Sequence, residues 1–430
     1  MQFKQYPSYK PSGVEWLGDV PKHWSVIPSK FYFIERKEKA ENKDKQLTAS
    51  QKYGIVFQED FMAENGRVMV VMKNPEILKK VRPNDFVISM RSFQGGLELS
   101  YLEGSISSAY VMLKPNLHVV DIEYFKYLFK TPRYIQSLQS TSNLIRDGQA
   151  LRFNNFSQVK LVLPPKSDQH KIVSFLDTET TRIDNLITKQ EKLIELLEEQ
   201  RKSIISHAVT KGLNPNAPMK DSGVEWLGDV PKHWDVIPSK FYFTERKEKA
   251  VNADKQLTAS QKHGIIYQDE FIAENGRVMV VMKNPEILKK VRPNDFVISM
   301  RSFQGGLELS SLEGSISSAY VMLKPDLSLI NTEYFKYLFK TPRYIQSLQS
   351  TSNLIRDGQA LRFNNFSQVK LVLPPKSEQQ EIVEYLDKEK NKIDNLTYKQ
   401  KSLIEKLKEY RSSIISHAVT GKIDVREFTA

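Results

Sequence analysis

One segment written twice constrains this chain more than any other feature. Ser-Gly-Val-Glu-Trp-Leu-Gly-Asp-Val-Pro-Lys-His-Trp stands at 12–24 and again at 222–234. The offset, 222 minus 12, is 210 residues, and it holds without a gap to the His-Ala-Val-Thr at 207–210 and 417–420. Residues 63–100 are identical to 273–310, and 123–167 to 333–377. Solenoid repeats run to about 20–50 residues, far shorter than this period. Each copy is therefore expected to be a whole domain with a connector. A chain of 430 residues is long enough for two such cores.

Within a copy the first part reads as mixed helix and strand. Asp85–Arg91 is β-rich and follows the turn signal Arg82-Pro-Asn-Asp85. Ser105–Leu113 is a second strand, closed by Lys114-Pro115. Ile122–Leu138 reads as helix with a break or kink at Pro132, and Val159–Leu163 as a strand stopped by Pro164-Pro165. This mixed order indicates an α+β globule.

The second part differs. Asp168 to about Ala208 holds neither Gly nor Pro, and Ser167 can cap its start. Ile183, Gln190, Leu197 and Ile204 fall seven apart, with Leu186, Leu193 and Gln200 as the other row. The second copy repeats this with Ile393, Gln400, Leu407 and Ile414, and with Leu396, Leu403 and Tyr410. That is a coiled-coil heptad with polar interruptions. A helix of about 40 residues cannot bury such a stripe alone, and its evident partner is the other copy's helix. The expected layout is a globule at 1–167, a long helix at 168–210 and a linker at 211–221. A second globule at 222–377, a second long helix at 378–420 and a tail at 421–430 complete it.

A net charge of +12 points to a polyanionic partner, nucleic acid first and an anionic membrane surface second. The chain has no cysteine, which removes disulfides, cysteine zinc sites and iron–sulfur clusters and fits a cytoplasmic location. No apolar run approaches the roughly 20 residues of a membrane span, and Met-Gln-Phe-Lys-Gln-Tyr reads as no secretion signal. His-Glu-x-x-His, the phosphate-binding Gly-x-x-x-x-Gly-Lys-Ser/Thr and Gly-x-Ser-x-Gly are absent, so no metal site or catalytic centre is expected. Leu163-Pro-Pro-Lys166 mimics the Asn/Asp-Pro-Pro-aromatic motif of amino-methyltransferases. It lacks the polar first residue and the aromatic fourth, and reads as a strand stop that launches the helix.

Base readout needs Arg, Lys, Gln or Asn presented to base edges. Ser89–Gly96 places Arg91 and Gln94 after a strand, followed by two glycines that permit close backbone approach. Arg301 and Gln304 repeat them. Leu144–Asn155 combines Arg146, Gln149, Arg152 and Asn154 around a glycine, repeated as Arg356, Gln359 and Arg362. Thr48–Gly54 is a weaker third candidate, polar with one aromatic. Lysines in Arg36–Lys39 and at 79 and 80 are read as facing phosphate or water.

The layout resembles the specificity subunit of type I restriction-modification systems over essentially its full length. The carrying residues are Gly-Val-Glu-Trp-Leu-Gly-Asp-Val-Pro-Lys-His-Trp at 13–24 and 223–234, and Leu-Pro-Pro-Lys-Ser-Asp/Glu-Gln at 163–169 and 373–379. Phe/Tyr-Leu-Asp at 175–177 and 385–387, Ile-Asp at 183–184 and 393–394, and Ala-Val-Thr-Gly-Lys-Ile-Asp at 418–424 complete the set. The resemblance implies two target-recognition domains held apart by an antiparallel pair of long helices, each domain reading half of a bipartite site in double-stranded DNA. It implies two docked methyltransferase subunits, which hold S-adenosylmethionine and methylate adenine, and motor-nuclease subunits in the restricting complex. It implies no cofactor and no catalytic residue in this chain. Near-identical globules related by a pseudo-twofold imply an interrupted, nearly palindromic site, with the helices as ruler for the spacer. Tyr53/His263, Glu41/Val251, Lys43/Ala253 and Tyr101/Ser311 are the substitutions that could make the half-sites differ. An internally symmetric DNA-binding regulator without enzyme partners is the competing reading.

Overall fold

The computed structural model describes residues 3–65, 77–89, 92–142, 151–275, 287–299, 302–351 and 361–428. The chain forms two units, Met1–Gln190 with Lys401–Ala430, and Glu191–Gln400. Each unit thus takes its globule and the first part of that globule's long helix from one copy. Its remaining helix segment comes from the other copy.

In the first unit the described elements are β1 (Tyr9–Pro11), β2 (Asp19–Pro21), β3 (Ser25–Pro28), β4 (Phe33–Arg36), β5 (Leu47–Ser50), β6 (Gly54–Phe57) and α1 (Gln58–Asn65). They continue with β7 (Lys79–Val81), β8 (Phe86–Ile88), α2 (Ser92–Gly95), β9 (Glu98–Leu99), β10 (Gly104–Ile106), β11 (Val111–Pro115), α3 (Ile122–Leu128) and α4 (Pro132–Gln139). After α5 (Phe153–Gln158) and β12 (Lys160–Leu163) comes the long helix α6 (Lys166–Lys211). An antiparallel sheet of order β4-β11-β8-β9 is the centre. Its strands alternate between two cores, as a pleat of period two requires. Phe86, Ile88, Val111 and Leu113 face the main core. Val87 and Met112 face a smaller cluster with Leu47, Ile55, Val81 and Ile106. That cluster seats the β5–β6 hairpin on the sheet.

One expected strand is divided, and one expected helix breaks at its proline. Ser105–Leu113 is not one strand: β10 pairs with β7, and β11 joins the central sheet after a turn at Ser107–Tyr110. Ile122–Leu138 is two helices. Asp121 caps the first, accepting from Glu123 N and Tyr124 N at 2.9 and 3.3 Å. Pro132 opens the second, where its missing N–H costs nothing.

The first turn of α6 is locked to the globule, which explains the Pro-Pro-Lys-Ser-Asp/Glu-Gln sequence. Gln169 is fully buried and satisfied on both ends of its amide. It accepts from Asp121 N at 2.8 Å and donates to Val119 O and Pro164 O at 2.9 and 2.8 Å. Asp168 receives Trp24 Nε1 at 3.2 Å and meets His23 Nε2 at 2.8 Å. Glu378 does the same for Trp234 and His233 at 2.8 and 2.6 Å.

The long helices pair antiparallel within each unit. In the first, Phe175 stacks edge-on against Phe428, while further along α6 Asp184 meets Arg411 at 2.9 and 3.1 Å. In the second unit Arg201 pairs with Asp394. Ile183, Leu197, Ile393 and Ile414 are buried, and Gln190, Ile204, Gln400 and Leu407 half-buried. The other row of the seam runs one residue later than the heptad reading put it. Ile187, Ile194, Thr397 and Ile404 turn inward. Leu186 is half-buried, and Leu193, Leu396 and Leu403 lie on the exposed flank. Apolar residues stand at both +3 and +4 from several seam positions, so periodicity alone does not choose between them.

The second unit repeats these elements at the 210-residue offset. Its central sheet joins Phe243–Arg246, Val321–Pro325, Phe296–Ile298 and Glu308–Leu309, and its long helix spans Lys376–Val419. Among the described residues no helix is long and apolar enough to cross a membrane.

Candidate nucleic-acid interface

The sheet delivers two candidate segments to one edge. After β8 the chain enters α2, where Ser92 Oγ accepts from Ser89 N at 2.8 Å. Gly96 then turns the chain back with φ +77°, and a Cβ there would collide with the Phe129 carbonyl. Lys130 clamps the turn: its Nζ donates to Gly95 O at 3.1 Å and pairs with Glu98. Burial lifts the Glu98 carboxyl above its usual range, against the opposing pull of Lys130. Gln94 is left exposed.

The tip of the β5–β6 hairpin closes on this turn. A Cβ on Gly95 would overlap the Gln51 side chain where it now rests, so the glycine lets the two segments close on each other without displacing that side chain. Ser50 Oγ organises the tip by accepting from Lys52 N and Tyr53 N, both at 3.3 Å. Lys52 Nζ lies 4.8 Å from the centre of the Tyr53 ring, which stands edge-on to Phe61 at 6.2 Å. Gln51, Lys52, Tyr53 and Gln94 thus form an exposed polar edge over a packed base. Gln261, Lys262, His263 and Gln304 form its counterpart in the second unit.

Arg152 and Arg362 are exposed at the start of α5 and of Phe363–Gln368. Asn155 is spent on structure, accepting from Arg152 N at 2.9 Å and donating to Thr141 O at 2.8 Å. Asn154 is exposed. Arg91, Arg146, Gln149, Arg301, Arg356 and Gln359 lie outside the described residues.

Several basic residues expected to face phosphate or water are occupied internally. Lys80 is buried against Asp44, and Arg36 forks onto buried Asp85 at 2.6 and 2.9 Å. Lys79 donates to Tyr110 O at 2.7 Å, and burial pushes its ammonium down. Lys37 stays exposed. The hairpin tip, the weakest of the three candidates by sequence, is the best defined of them in the structure, and the Lys130–Glu98 clamp has no sequence signal. Those two residues stand 32 apart and share no local pattern. Among the described residues no group of His, Asp or Glu could hold a metal ion. A cavity of about 760 Å³ in the first unit lies elsewhere, lined by Arg133, Ser413, His417 and Lys422 among others.

Residues 294–406 match the family model for the type I restriction modification DNA specificity domain. The chain is similar to the type I restriction enzyme MjaVIII specificity subunit of Methanocaldococcus jannaschii. The two are 24% identical over 428 residues, covering 95% of this chain and 94% of that one. Two solved structures share the fold, each at 14% sequence identity. One, described under complex assembly and conformational transition of the type I R-M system, covers 93% of this chain and 98% of its own at a TM-score of 0.64. The other, the HsdS subunit from Thermoanaerobacter tengcongensis, covers 94% and 98% at 0.55.

Proposed function

We propose, from the premise that this chain belongs to the specificity-subunit family of type I restriction-modification systems, how it recognises DNA. It is a specificity subunit and not one of the catalytic subunits. Each unit reads one half of a bipartite duplex site, and the halves are inverted near-copies of each other. Two methyltransferase subunits dock on the chain and methylate adenine, with S-adenosylmethionine bound in those partners. A motor-nuclease joins them in a restricting complex. The fold likeness to a chain from an assembled system supports the docking.

The observation that carries this reading is the edge at Gln51–Tyr53 and Gln94, built twice on the same scaffold. Ser260 Oγ accepts from Lys262 N and His263 N at 3.3 Å each, as Ser50 does in the first unit. Gln side chains suit adenine edges in the major groove, and Lys52, Arg152 and their counterparts suit phosphate.

Co-purification with the methyltransferase of its system, followed by transfer of labelled methyl groups to DNA, tests the reading. Transfer is expected only when both chains are present. Methylation by the methyltransferase alone, with no change on adding this chain, would overturn the reading in favour of a regulator acting without enzyme partners.

A further inference from the structure

Between the two copies, substitutions are not spread evenly. Six fall between positions 53 and 62: Tyr53/His263, Val56/Ile266, Phe57/Tyr267, Glu59/Asp269, Asp60/Glu270 and Met62/Ile272. Residues 63–100, which follow directly, are identical to their counterparts. One divergent stretch of the globule is thus the hairpin tip, β6 and α1, and the tip belongs to the edge just described; the other is 116–122.

Five of the six keep their chemistry or their packing. Val56/Ile266 and Met62/Ile272 are half-buried aliphatic exchanges, and Glu59/Asp269 and Asp60/Glu270 keep their charge. Phe57 and Tyr267 hold the same place under a lysine, with Lys45 Nζ 5.3 Å and Lys255 Nζ 5.2 Å from the ring centres. Only position 53/263 changes hydrogen-bonding chemistry on an exposed tip. Its scaffold is the same in both units: Tyr53 stands 6.2 Å from Phe61 at 75°, and His263 stands 6.2 Å from Phe271 at 84°. A phenol hydroxyl in one unit is thus replaced by a shorter imidazole in the other. His263 Nε2 also lies 4.0 Å from Glu274 Oε2.

The other contrasts in the globules sit in other surroundings, with Ser25/Asp235 and Ile34/Thr244 on β3 and β4 and their counterparts rather than on the tip. Tyr101 is engaged with Glu123 and Lys126 at 2.7 and 2.8 Å. Glu41 and Lys43 pair with each other in the turn before Asp44. The differences at 116–122 lie in the segment leading into α3, which Asp121 caps just as Asn331 caps its counterpart Thr332–Leu338.

We propose that the β5–β6 hairpin tip reads bases, and that Tyr53 and His263 are specificity-determining residues that make the two half-sites unequal at one base pair. This inference rests on the DNA-recognition reading above and adds the residue that breaks the symmetry of the site.

The test maps methylated adenines in cells carrying the full chain with its methyltransferase. Tyr53→His should make the half-site read by the first unit match that of the second. His263→Tyr should do the reverse. In each case the base preference should move roughly 5- to 150-fold at one position. The doubly exchanged chain should restore the original motif, because interchanging the half-sites gives the same duplex read from the other strand. That rescue separates altered reading from damaged folding. An original motif that is fully palindromic, or one that both single variants leave unchanged, would overturn the inference while leaving the family reading intact. Absence of any motif dependent on the original chain would overturn the family reading, and this inference with it.

Discussion

Tyr124 in α3 donates its hydroxyl to the carbonyl of Val419 at 2.7 Å, across 295 positions of sequence. Tyr334 does the same for Val209 at 2.7 Å. In each unit a fully buried tyrosine therefore caps the end of the long helix that arrives from the other copy. Lys422 and Lys211 reinforce the junction by reaching Leu17 O and Leu227 O at 2.8 and 3.1 Å.

Tyr124→Phe should leave the Val419 carbonyl unpaired in a buried place. Loss of about 1–3 kcal/mol is expected, read as a lower denaturant midpoint. Tyr334→Phe should cost a similar amount in the second unit. An unchanged midpoint in both would mean that the helix ends are held by apolar packing alone.

The inter-helix ion pairs should contribute far less. Asp184 and Asp394 are about half exposed, and such pairs are typically worth about 0.2–1 kcal/mol and weaken in salt. A double-mutant cycle on Asp184→Ala and Arg411→Ala should give a coupling within that range. A coupling of several kcal/mol would contradict the assignment of the seam to its apolar rows.

Gly95 and Gly96 should respond differently to alanine. Gly96→Ala meets backbone and a positive φ, which costs about 1–3 kcal/mol for the conformation alone. Gly95→Ala meets only the Gln51 side chain, which can swing aside. Its expected result is near-original stability with relaxed discrimination at the first unit's half-site. Equal destabilisation by both would mean that the tip and the turn form one rigid body.

Glu98 and Glu308 set a pH dependence with a defined sign. Burial raises both carboxyls above the ordinary range, with Lys130 and Lys340 opposing. The folded chain then keeps protons that the unfolded chain has released. Their contribution to stability falls as pH rises from the ordinary carboxylate range through the raised values. Glu98→Gln with Glu308→Gln removes that slope, so the variant should gain on the original chain as pH rises. Denaturation midpoints across that window measure the difference. A variant that loses ground as pH rises would contradict the burial argument.

Much of this architecture was legible in the sequence because the repeat is long, exact in register and bounded by Pro-Pro and glycine breaks. The long helices followed from a run without Gly or Pro, and the globule's α+β character from its mixed order. The seam's second row did not follow, because Leu193 and Ile194 are equally apolar and only packing separates them. Ser105–Leu113 read as one strand because its turn at 107–110 carries no proline or glycine. The edge itself depends on Gln51 resting on Gly95, a contact between residues 44 apart that no local pattern announces. The basic runs misled for a similar reason: the partners of Lys80 and Arg36 are Asp44 and Asp85, distant in sequence and close in space.

The central claim is that two near-identical units read inverted near-copies of one half-site. A genome-scale map of methylated adenines tests it most directly, in cells carrying this chain with its methyltransferase and in cells lacking only this chain. The expected motif depends on the chain and consists of two inverted half-sites around an unread spacer, matching except where Tyr53 and His263 read. Two unrelated half-sites, or no motif that depends on the chain, would contradict it.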